Sequence, residues 1–222
     1  PSKQGSKTPE NGGKIIALNN KQIAFSTGDY RLRSLAQDES SVNGKILSIN
    51  IINRSFELLS IGHRNPQGLY YDEDFDYILS TEHGPKGGDE INLIKLNQKE
   101  IPNYGWPVAS YGEHYGYKSD NIEKYKKYPL LKSHAESGYM EPLKYFSPSI
   151  AISEIVGIGK KQYVVSSMKD KSLYFFNLNE NNEIKTFDRV EIGERIRDLI
   201  VFKKRLVLFL EDSGSIGIID LD

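Results

Sequence analysis

The sequence predicts an all-β fold, a β-propeller in which about four four-stranded antiparallel blades follow one another along the chain. Short runs of about five residues, rich in Val, Ile, Phe and Tyr, recur over the whole length. The runs come in a repeated order with similar polar endings, and turn residues separate them. No long amphipathic helix interrupts the pattern, although residues 121–132 predict a short one.

Each unit contains up to four such runs, and each run predicts one strand. The first strands start at Lys14, Gly68, Glu154 and Asp198. The second strands lie within 22–29, 77–84, 163–170 and 206–213, and the third within 45–51, 90–96, 172–178 and 215–221. A fourth strand is predicted only in the first three units, at 56–61, 142–146 and 190–192. An irregular β-sandwich is the alternative, but it does not explain why the order repeats.

These units predict a single partial propeller domain over residues 1–222. A loop insertion rich in Tyr, Gly and Pro interrupts the second unit at 97–139, and loops of this length are often functional. The last unit stops after its third strand, and no N-terminal strand completes it. We therefore expect N-terminal blades to be missing from this chain, or a partner to complete the propeller, since uncovered strand edges aggregate.

Composition excludes several functional classes. The chain has 222 residues, of which 38% are hydrophobic, and a formal net charge of −1, so no nucleic-acid surface is expected. No apolar run approaches the roughly 18 residues of a membrane span. Cysteine is absent, which removes disulfides and thiolate chemistry. The first ten residues lack the pattern of a signal peptide.

Strand alternation places the unusual residues on one face of the molecule. In an up-and-down blade, the connections between second and third strands emerge on the same face as those between consecutive blades. Those connections carry Glu10, 62–68, 82–85, 147–149, 168–170 and 193–197. The opposite connections resemble ordinary solvated turns. This face is therefore the predicted ligand site.

Four cations, Arg64, Lys169, Arg195 and Arg197, are predicted to lie near the centre of that face. Arginine offers paired donors that match carboxylates and phosphates, so the set indicates an anionic ligand. The alternative is that Arg197 pairs with a neighbouring acid, Asp198 or Glu194, and only ties blades together.

Three motifs carry a family resemblance: GHRNPQGL at 62–69, STEHGPKGGDEINLI at 80–94 and NYGWP at 103–107. In this order and spacing, they resemble the glucose/sorbosone dehydrogenase family, from Asn11 to the C-terminus of this chain. The resemblance implies a six-bladed propeller, pyrroloquinoline quinone (PQQ) and Ca²⁺ as cofactors, and oxidation of aldose sugars with an external electron acceptor. It also implies a periplasmic or extracellular location.

The resemblance assigns roles to individual residues. Arg64 and Asn65 match positions at the quinone oxygens, and Arg64 would stabilise the charge developing there. The cofactor's carboxylates would be bound at positions matched by Ser149, Lys169, Arg195 and Arg197. Two calcium sites are implied: the backbone carbonyls of Gly84 and Pro85 at the cofactor, and a structural site at Glu90 and Tyr104.

Two departures from the family pattern leave catalysis open. The family has its catalytic base in His-x-Gly-Gly-Arg, where this chain has Glu10 followed by NGGK. Either Glu10 is the base, with a pKa raised by its surroundings, or the usual catalyst is missing. His83 is a substitute base or a structural hydrogen-bonding residue. The aromatic residue expected to stack on the quinone is replaced by Ser147, with Tyr145 and Phe146 beside it.

Two functions follow from the sequence. The first is a PQQ- and calcium-dependent aldose dehydrogenase, and the alternative is a non-catalytic, calcium-stabilised propeller that binds a carbohydrate or protein partner. The remaining histidines carry no predicted chemistry: His63 is expected to pack between blades, and His114 and His134 to face solvent. Trp106 is interpreted either as a sugar-stacking wall or as packing between blades.

Overall fold

The computed structural model describes residues 9–116 and 122–221, which form four antiparallel β-sheets in chain order. The first sheet contains β1 (Gly12–Ala17), β2 (Gln22–Thr27), β3 (Lys45–Asn50) and β4 (Phe56–Ile61). The second contains β5 (Pro66–Asp72), β6 (Tyr77–Glu82), β7 (Asp89–Lys95) and β8 (Lys144–Phe146). The third contains β9 (Ile152–Gly159), β10 (Gln162–Ser167), β11 (Ser172–Leu178) and β12 (Ile184–Glu191). The last contains β13 (Ile196–Phe202), β14 (Arg205–Leu210) and β15 (Ser215–Asp220).

Every sheet pairs its strands in sequence order, as in a propeller blade, which confirms the predicted fold class. The first strands of neighbouring sheets, β1, β5, β9 and β13, lie next to one another in that order. Three apolar clusters fill the spaces between successive sheets. Packing between sheets explains why β6 is buried along its whole length, since it lies inside the second sheet with other sheets on both sides.

One strand is longer than predicted. The fourth strand of the third blade, predicted at 190–192, runs over Ile184–Glu191 and pairs with β11 along its length. It is an outer strand with polar or charged residues on both faces, so it lacks the apolar alternation that identifies a half-buried strand. Pairing with β11, together with packing of Ile184 and Phe187 on the apolar cluster, determines its conformation.

The insertion between β7 and β8 is mostly irregular. Its described residues form one short helix, α1 (Ile122–Lys127), and a 3-10 turn at Ala135–Ser137. The helix is shorter than the predicted 121–132, because Pro129 disfavours helical geometry at the residue before it and Leu130 has a positive φ of 51°. Residue 121 lies outside the described residues.

The connection between β2 and β3 holds a second 3-10 helix, Arg33–Gln37. The buried Lys45 fixes this helix, since its Nζ donates to the carbonyls of Leu35, Ala36 and Asn43 at 2.8, 2.9 and 2.7 Å. These three acceptors compensate the burial of the ammonium group. The loop therefore has a defined position above the first blade.

The last sheet has one apolar face that no described residue covers. Ile200, Phe202, Phe209, Ile216 and Ile218 lie on this face and are exposed, and Ile216 and Ile218 are each 61% exposed. The opposite face packs on the third blade through Leu199, Leu206 and Leu208. No helix in the described ranges is long and apolar enough to cross a membrane.

Candidate functional site

A cavity of about 520 Å³ opens on the face where the predicted functional connections emerge. Its walls come from the segment before β1 and from the connections β4–β5, β6–β7, β8–β9 and β10–β11, together with the insertion. The lining residues are Glu10, Arg64, His83, Gly84, Lys86, Gly87, Asp89, Tyr115, Pro148, Ser149, Ala151 and Lys169. Strand alternation thus brings Arg64, Gly84 and Lys169 together around one space, as the sequence indicated.

Arg64 is the central side chain of this cavity. It is buried, and its Nη2 donates to Glu10 Oε1 at 2.5 Å while its Nη1 donates to the carbonyl of His83 at 2.9 Å. Its Nε makes no hydrogen bond within the described part of the chain. The guanidinium carbon lies 5.6 Å from the centre of the Trp106 ring, which provides a cation–π contact. Arg64 therefore keeps one buried donor available.

The backbone around Arg64 is held by the buried carboxylate of Glu82. Glu82 accepts hydrogen bonds from the backbone N–H groups of Arg64 and Asn65, and its Oε2 lies 2.8 Å from His63 Nδ1. His63 in turn contacts Ser60 at 2.7 Å and stacks on Tyr104. The sequence did not assign Glu82 a role, although its place at the end of β6, next to His83, was a usable signal. His63 packs between blades as predicted.

Backbone hydrogen bonds attach the segment that carries Glu10 to the β2–β3 connection. Glu10 has a positive φ of 72°, its carbonyl accepts from Tyr30 N at 3.1 Å, and Asn11 O accepts from Gly28 N at 2.8 Å. A Cβ atom at Gly28 would lie 1.9 Å from Glu10 O, so only glycine allows this approach. This attachment directs the Glu10 carboxylate to Arg64. The other carboxylate oxygen, Glu10 Oε2, lies 3.8 Å from Arg31 Nε.

His83 lies on the other side of the cavity. Its Nε2 is 2.5 Å from the carbonyl of Ile152, so Nε2 carries the proton and Nδ1 has a lone pair. Burial lowers the pKa of His83, with smaller contributions from Arg64 and Arg197, and the opposing charge of Asp89 does not reverse this. His83 is therefore a neutral imidazole near pH 7.

Asp89 is a cavity residue that sequence reasoning missed. Its Oδ1 accepts from Gly84 N at 3.3 Å and its Oδ2 from Ile152 N at 3.2 Å, so it ties the β6–β7 loop to β9. Ser149 and Lys169 line the same cavity, and Ser149 Oγ lies 3.5 Å from the Pro85 carbonyl. Asn65 is close by, and its Oδ1 accepts from Gly12 N and Gln67 Nε2.

Arg195 and Arg197 do not line this cavity. Both form ion pairs with Glu211, with distances of 2.9 Å from Arg195 Nε and 2.6 Å from Arg197 Nη2. The sequence offered Asp198 or Glu194 as the partner of Arg197, whereas the acid is Glu211, from the next hairpin turn after β14. Arg195 also contacts the sulfur of Met168 at 3.7 Å, which places it beside the turn that carries Lys169.

The four predicted metal ligands line one small cavity. Gly84, Pro85, Glu90 and Tyr104 surround a space of about 10 Å³, together with Arg64 and Glu82, among others. Such a volume holds a single water-sized particle. Burial raises the pKa of Glu90 well above its usual value, and the nearby charge of Glu82 adds to this effect.

Two orphaned polar atoms lie close to Glu90. Asn92 Oδ1 and His134 Nε2 are buried without hydrogen-bond partners among the described residues, although His134 Nε2 is 3.9 Å from Glu90 Oε1. Within 9–116 and 122–221, no three His, Asp or Glu side chains are grouped as metal ligands. Calcium also takes backbone carbonyls, so a mixed set of oxygen ligands remains compatible with this region.

The aromatic and histidine residues differ from expectation. Tyr145 stacks on Tyr111 outside the cavity, and Phe146 packs in the core between the second and third blades, so neither faces the ligand space. Tyr115 from the insertion does line it. His114 and His134, predicted to face solvent, are buried: His114 contacts the Tyr128 carbonyl, and His134 stacks on Tyr111. The insertion folds back over them, which the sequence pattern does not reveal.

Trp106 is buried, which supports its interpretation as a packing residue. Its Nε1 donates to Asp29 Oδ2 at 2.7 Å, and Asp29 Oδ1 also accepts from Arg31 N. Burial raises the pKa of Asp29 to about 6 against these hydrogen bonds. The Trp106 ring therefore packs against the loop that carries Asp29 and Arg31 and holds it through this hydrogen bond.

Fold and site together define a β-propeller with a polar, cation-bearing ligand cavity on one face. The sequence profile described as Glucose / Sorbosone dehydrogenase matches residues 2–219. The chain belongs to this family. It is 28% identical over 230 residues to the aldose sugar dehydrogenase YliI of Escherichia coli, covering 92% of this chain and 57% of that protein.

Two further comparisons agree with this family assignment. Quinoprotein glucose dehydrogenase B of Acinetobacter calcoaceticus is 30% identical over 146 residues, covering 52% of this chain and 28% of that protein. The crystal structure of the soluble aldose sugar dehydrogenase from Escherichia coli in the apo-form superposes with a TM-score of 0.75 at 25% identity, covering 93% of this chain and 62% of that one. The chain thus spans less than two thirds of each of these relatives.

Proposed function

We propose that this chain forms the ligand-binding part of a PQQ- and calcium-dependent dehydrogenase that oxidises aldose sugars. The observation that carries the proposal is the shared cavity of Arg64, Ser149 and Lys169, beside two candidate bases, Glu10 and His83. Relatives named as an aldose sugar dehydrogenase and a quinoprotein glucose dehydrogenase support it. The electron acceptor would be external.

The residues present fit a multiply anionic quinone. Lys169 and Arg64 offer cationic donors inside the cavity, and Arg64 Nε is an orphaned buried donor that a ligand oxygen would satisfy. When bound, PQQ would supply a two-electron acceptor. Arg195 and Arg197 are paired with Glu211, so a carboxylate of the cofactor would have to compete with that acid.

The residues near Glu90 fit Ca²⁺. A cation among Gly84, Pro85, Glu90 and Tyr104 would neutralise the buried carboxylate whose pKa burial and Glu82 now raise. The ion would act as a Lewis acid if it also contacted the cofactor, and otherwise as a structural clamp. The resemblance implies a cofactor calcium at Gly84 and Pro85 and a structural calcium at Glu90 and Tyr104. Because these four residues line a single cavity, they form one proposed calcium site.

Glu10 and His83 are the two candidates for the base that accepts the hydroxyl proton. Glu10 Oε1 is bound to Arg64, which leaves Oε2 as the oxygen that would take a proton. His83 has its Nδ1 lone pair and is neutral, because burial lowers its pKa. Either group is chemically suitable, since a base must be unprotonated and within hydrogen-bond reach of the substrate.

A second function is favoured by the Glu10–Arg64 ion pair itself. If Glu10 serves only to neutralise Arg64, the chain would be a non-catalytic propeller whose calcium-stiffened face binds a carbohydrate or a protein partner. This alternative predicts stabilisation by calcium without turnover.

The experiment that separates the two uses the full-length protein that contains this chain. Purified protein receives PQQ with and without Ca²⁺, and cofactor absorbance and dye reduction are followed with several aldoses. Lys169→Met should weaken cofactor binding, whereas Lys171→Met, in the same turn but paired with Asp212, serves as the matched control. Absence of PQQ binding at micromolar concentration would overturn the enzymatic proposal. Binding without dye reduction would favour the alternative.

The exposed face of the last sheet supports a further part of the proposal. Ile216, Ile218 and Phe202 form an uncovered apolar surface of the kind that packs against a neighbouring blade. We assign it to further blades of the longer protein, or to a partner that completes the propeller. An exported location is proposed only from the family resemblance.

A further inference from the structure

A second cleft, of about 610 Å³, lies beside the cavity described above. The two spaces share Glu10, Arg64 and Tyr115 as walls, so a ligand in one can reach the other. The rest of the second cleft is formed by the β2–β3 connection and by the region of α1. Apart from Glu10 and Arg64, the residues that line this cleft were not among the predicted site residues.

The cleft is strongly cationic. Its walls carry Arg31, Arg33, Arg64 and Lys124 against a single carboxylate, that of Glu10. Glu10 is already bound to Arg64 and lies near Arg31. No carboxylate of a described residue lies within 4.0 Å of Arg33 or Lys124. Burial lowers the pKa of Lys124, and the positive charge of Arg33 lowers it further. The charges of Asp29 and Glu10 act on Arg33 from a longer distance and offset part of this excess. Among the described residues, the cations of the cleft still outnumber its one carboxylate, so an anion would be attracted there.

Arg33 is held in position by neutral groups. Its guanidinium carbon lies 5.0 Å from the centre of the Trp106 ring and 5.9 Å from that of Tyr128. Its Nη1 is 3.2 Å from His114 Nδ1, which is an acceptor because His114 Nε2 donates to the Tyr128 carbonyl at 2.7 Å. These contacts fix the guanidinium without neutralising it.

The backbone below Arg33 is equally constrained. Arg33 begins the 3-10 helix that Lys45 holds through two of its carbonyls, those of Leu35 and Ala36. Its side chain is only partly exposed, and no ion pair ties up its remaining donors in the described ranges. A preorganised arginine that keeps donors for a ligand is the arrangement expected of a binding residue, since little order is lost on binding.

From this geometry we infer that the cleft binds the acidic group of an anionic aldose, a sugar that carries a carboxylate or a phosphate. Arg33 and Lys124 would contact the anion, because a guanidinium matches the oxygens of either group in a bidentate manner. The reducing end would then lie toward Glu10 and Arg64, and Tyr115 would offer a flat surface to the sugar ring. This inference rests on the proposed function and specifies its substrate class.

Direct binding measurements test the inference independently of turnover. Titration calorimetry on the full-length protein compares glucose, glucuronate and glucose 6-phosphate at low and high salt. We expect both acids to bind at least tenfold more tightly than glucose at low salt, with a smaller advantage at high salt. The acid that binds more tightly identifies carboxylate or phosphate as the preferred group. Equal affinity for glucose and both acids would overturn the inference.

Substitutions in the cleft test whether its residues cause the tighter binding of the acidic sugars. Arg33→Met and Lys124→Met should each reduce the preference for the acid over glucose at least fivefold. Lys126→Met, on the exposed side of the same helix, is the matched control and should leave the preference unchanged. Thermal melting establishes that each variant is folded, and Lys124→Met carries the test if Arg33→Met does not fold. An unchanged preference in the folded variants would contradict the inference.

Failure of this inference can be told apart from failure of the proposed function. Dye reduction with any aldose and PQQ tests the enzyme, whereas calorimetry tests recognition of the acid. Turnover of neutral aldoses without an acid preference would overturn only the present inference. If acids do not bind but Arg33→Met raises KM for an anionic dye alone, the cleft serves the electron acceptor, and the assignment to substrate is wrong.

Discussion

The guanidinium of Arg64 and the carboxylate of Glu10 meet at 2.5 Å, although 54 residues separate them in the chain. The family resemblance implies that Glu10 matches the position of the histidine base, so this ion pair is central to the proposed function. A carboxylate paired with Arg64 either accepts a proton during catalysis or only neutralises the arginine. The two roles have different consequences for substitution.

Glu10→Gln is the first test. If Glu10 is the base, the change should lower kcat of the PQQ- and calcium-loaded enzyme by about 10²–10⁴-fold, because the amide cannot accept the proton. It should not weaken PQQ binding, since the amide oxygen still accepts from Arg64. Steady-state dye reduction and cofactor titration measure the two effects. An unchanged kcat would remove Glu10 as the base, and a loss in His83→Gln would then assign the role to His83.

Gly84→Ala tests the calcium loop. A Cβ atom at Gly84 would lie 1.8 Å from Gly88 O, so the loop must move and its carbonyls with it. We expect a loss of about 1–3 kcal/mol of stability and of most of the stabilisation by added calcium. Denaturant unfolding with calcium or chelator measures both. Gly217→Ala is the control, because its added Cβ meets only ordinary contacts of 3.4 Å or more. Retained calcium stabilisation in Gly84→Ala would contradict the assignment.

The buried carboxyl of Glu154 predicts a pH dependence of stability. Burial raises its pKa to about 8 despite its contact with Lys14. The folded protein therefore binds a proton that the unfolded chain releases, and the resulting stabilisation is full below about pH 4.5 and lost as pH rises through 8.

Glu154→Gln should remove this contribution. The difference in unfolding free energy between pH 5 and pH 8 should shrink by on the order of 3 kcal/mol relative to the unsubstituted protein. Urea unfolding at the two pH values is the measurement. Glu183→Gln, in the exposed turn before β12, is the control and should leave the difference unchanged. An unaltered difference in Glu154→Gln would show that the carboxyl titrates normally.

The uncovered face of the last sheet gives a fourth prediction. If further blades or a partner cover this face, Ile218→Lys should lower stability by about 2 kcal/mol or more, because a charge would then be buried. Ile52→Lys, in the turn between β3 and β4 and 71% exposed, is the control and should have little effect. Thermal or urea unfolding compares the two variants. Equal small effects would mean that nothing covers the face of Ile218.

The sequence by itself determined the strands other than most of β12, their order and the face that carries the functional loops. This was possible because alternation and turn chemistry are local properties, and the motifs around Arg64 and Gly84 belong to one family. Tertiary structure decided which charges meet. Glu211, from a separate hairpin, neutralises Arg195 and Arg197. Arg33 and Lys124 share a cleft, and neither forms an ion pair with a carboxylate of the described residues. Packing of blades and of the insertion sets these long-range contacts, so no local pattern records them.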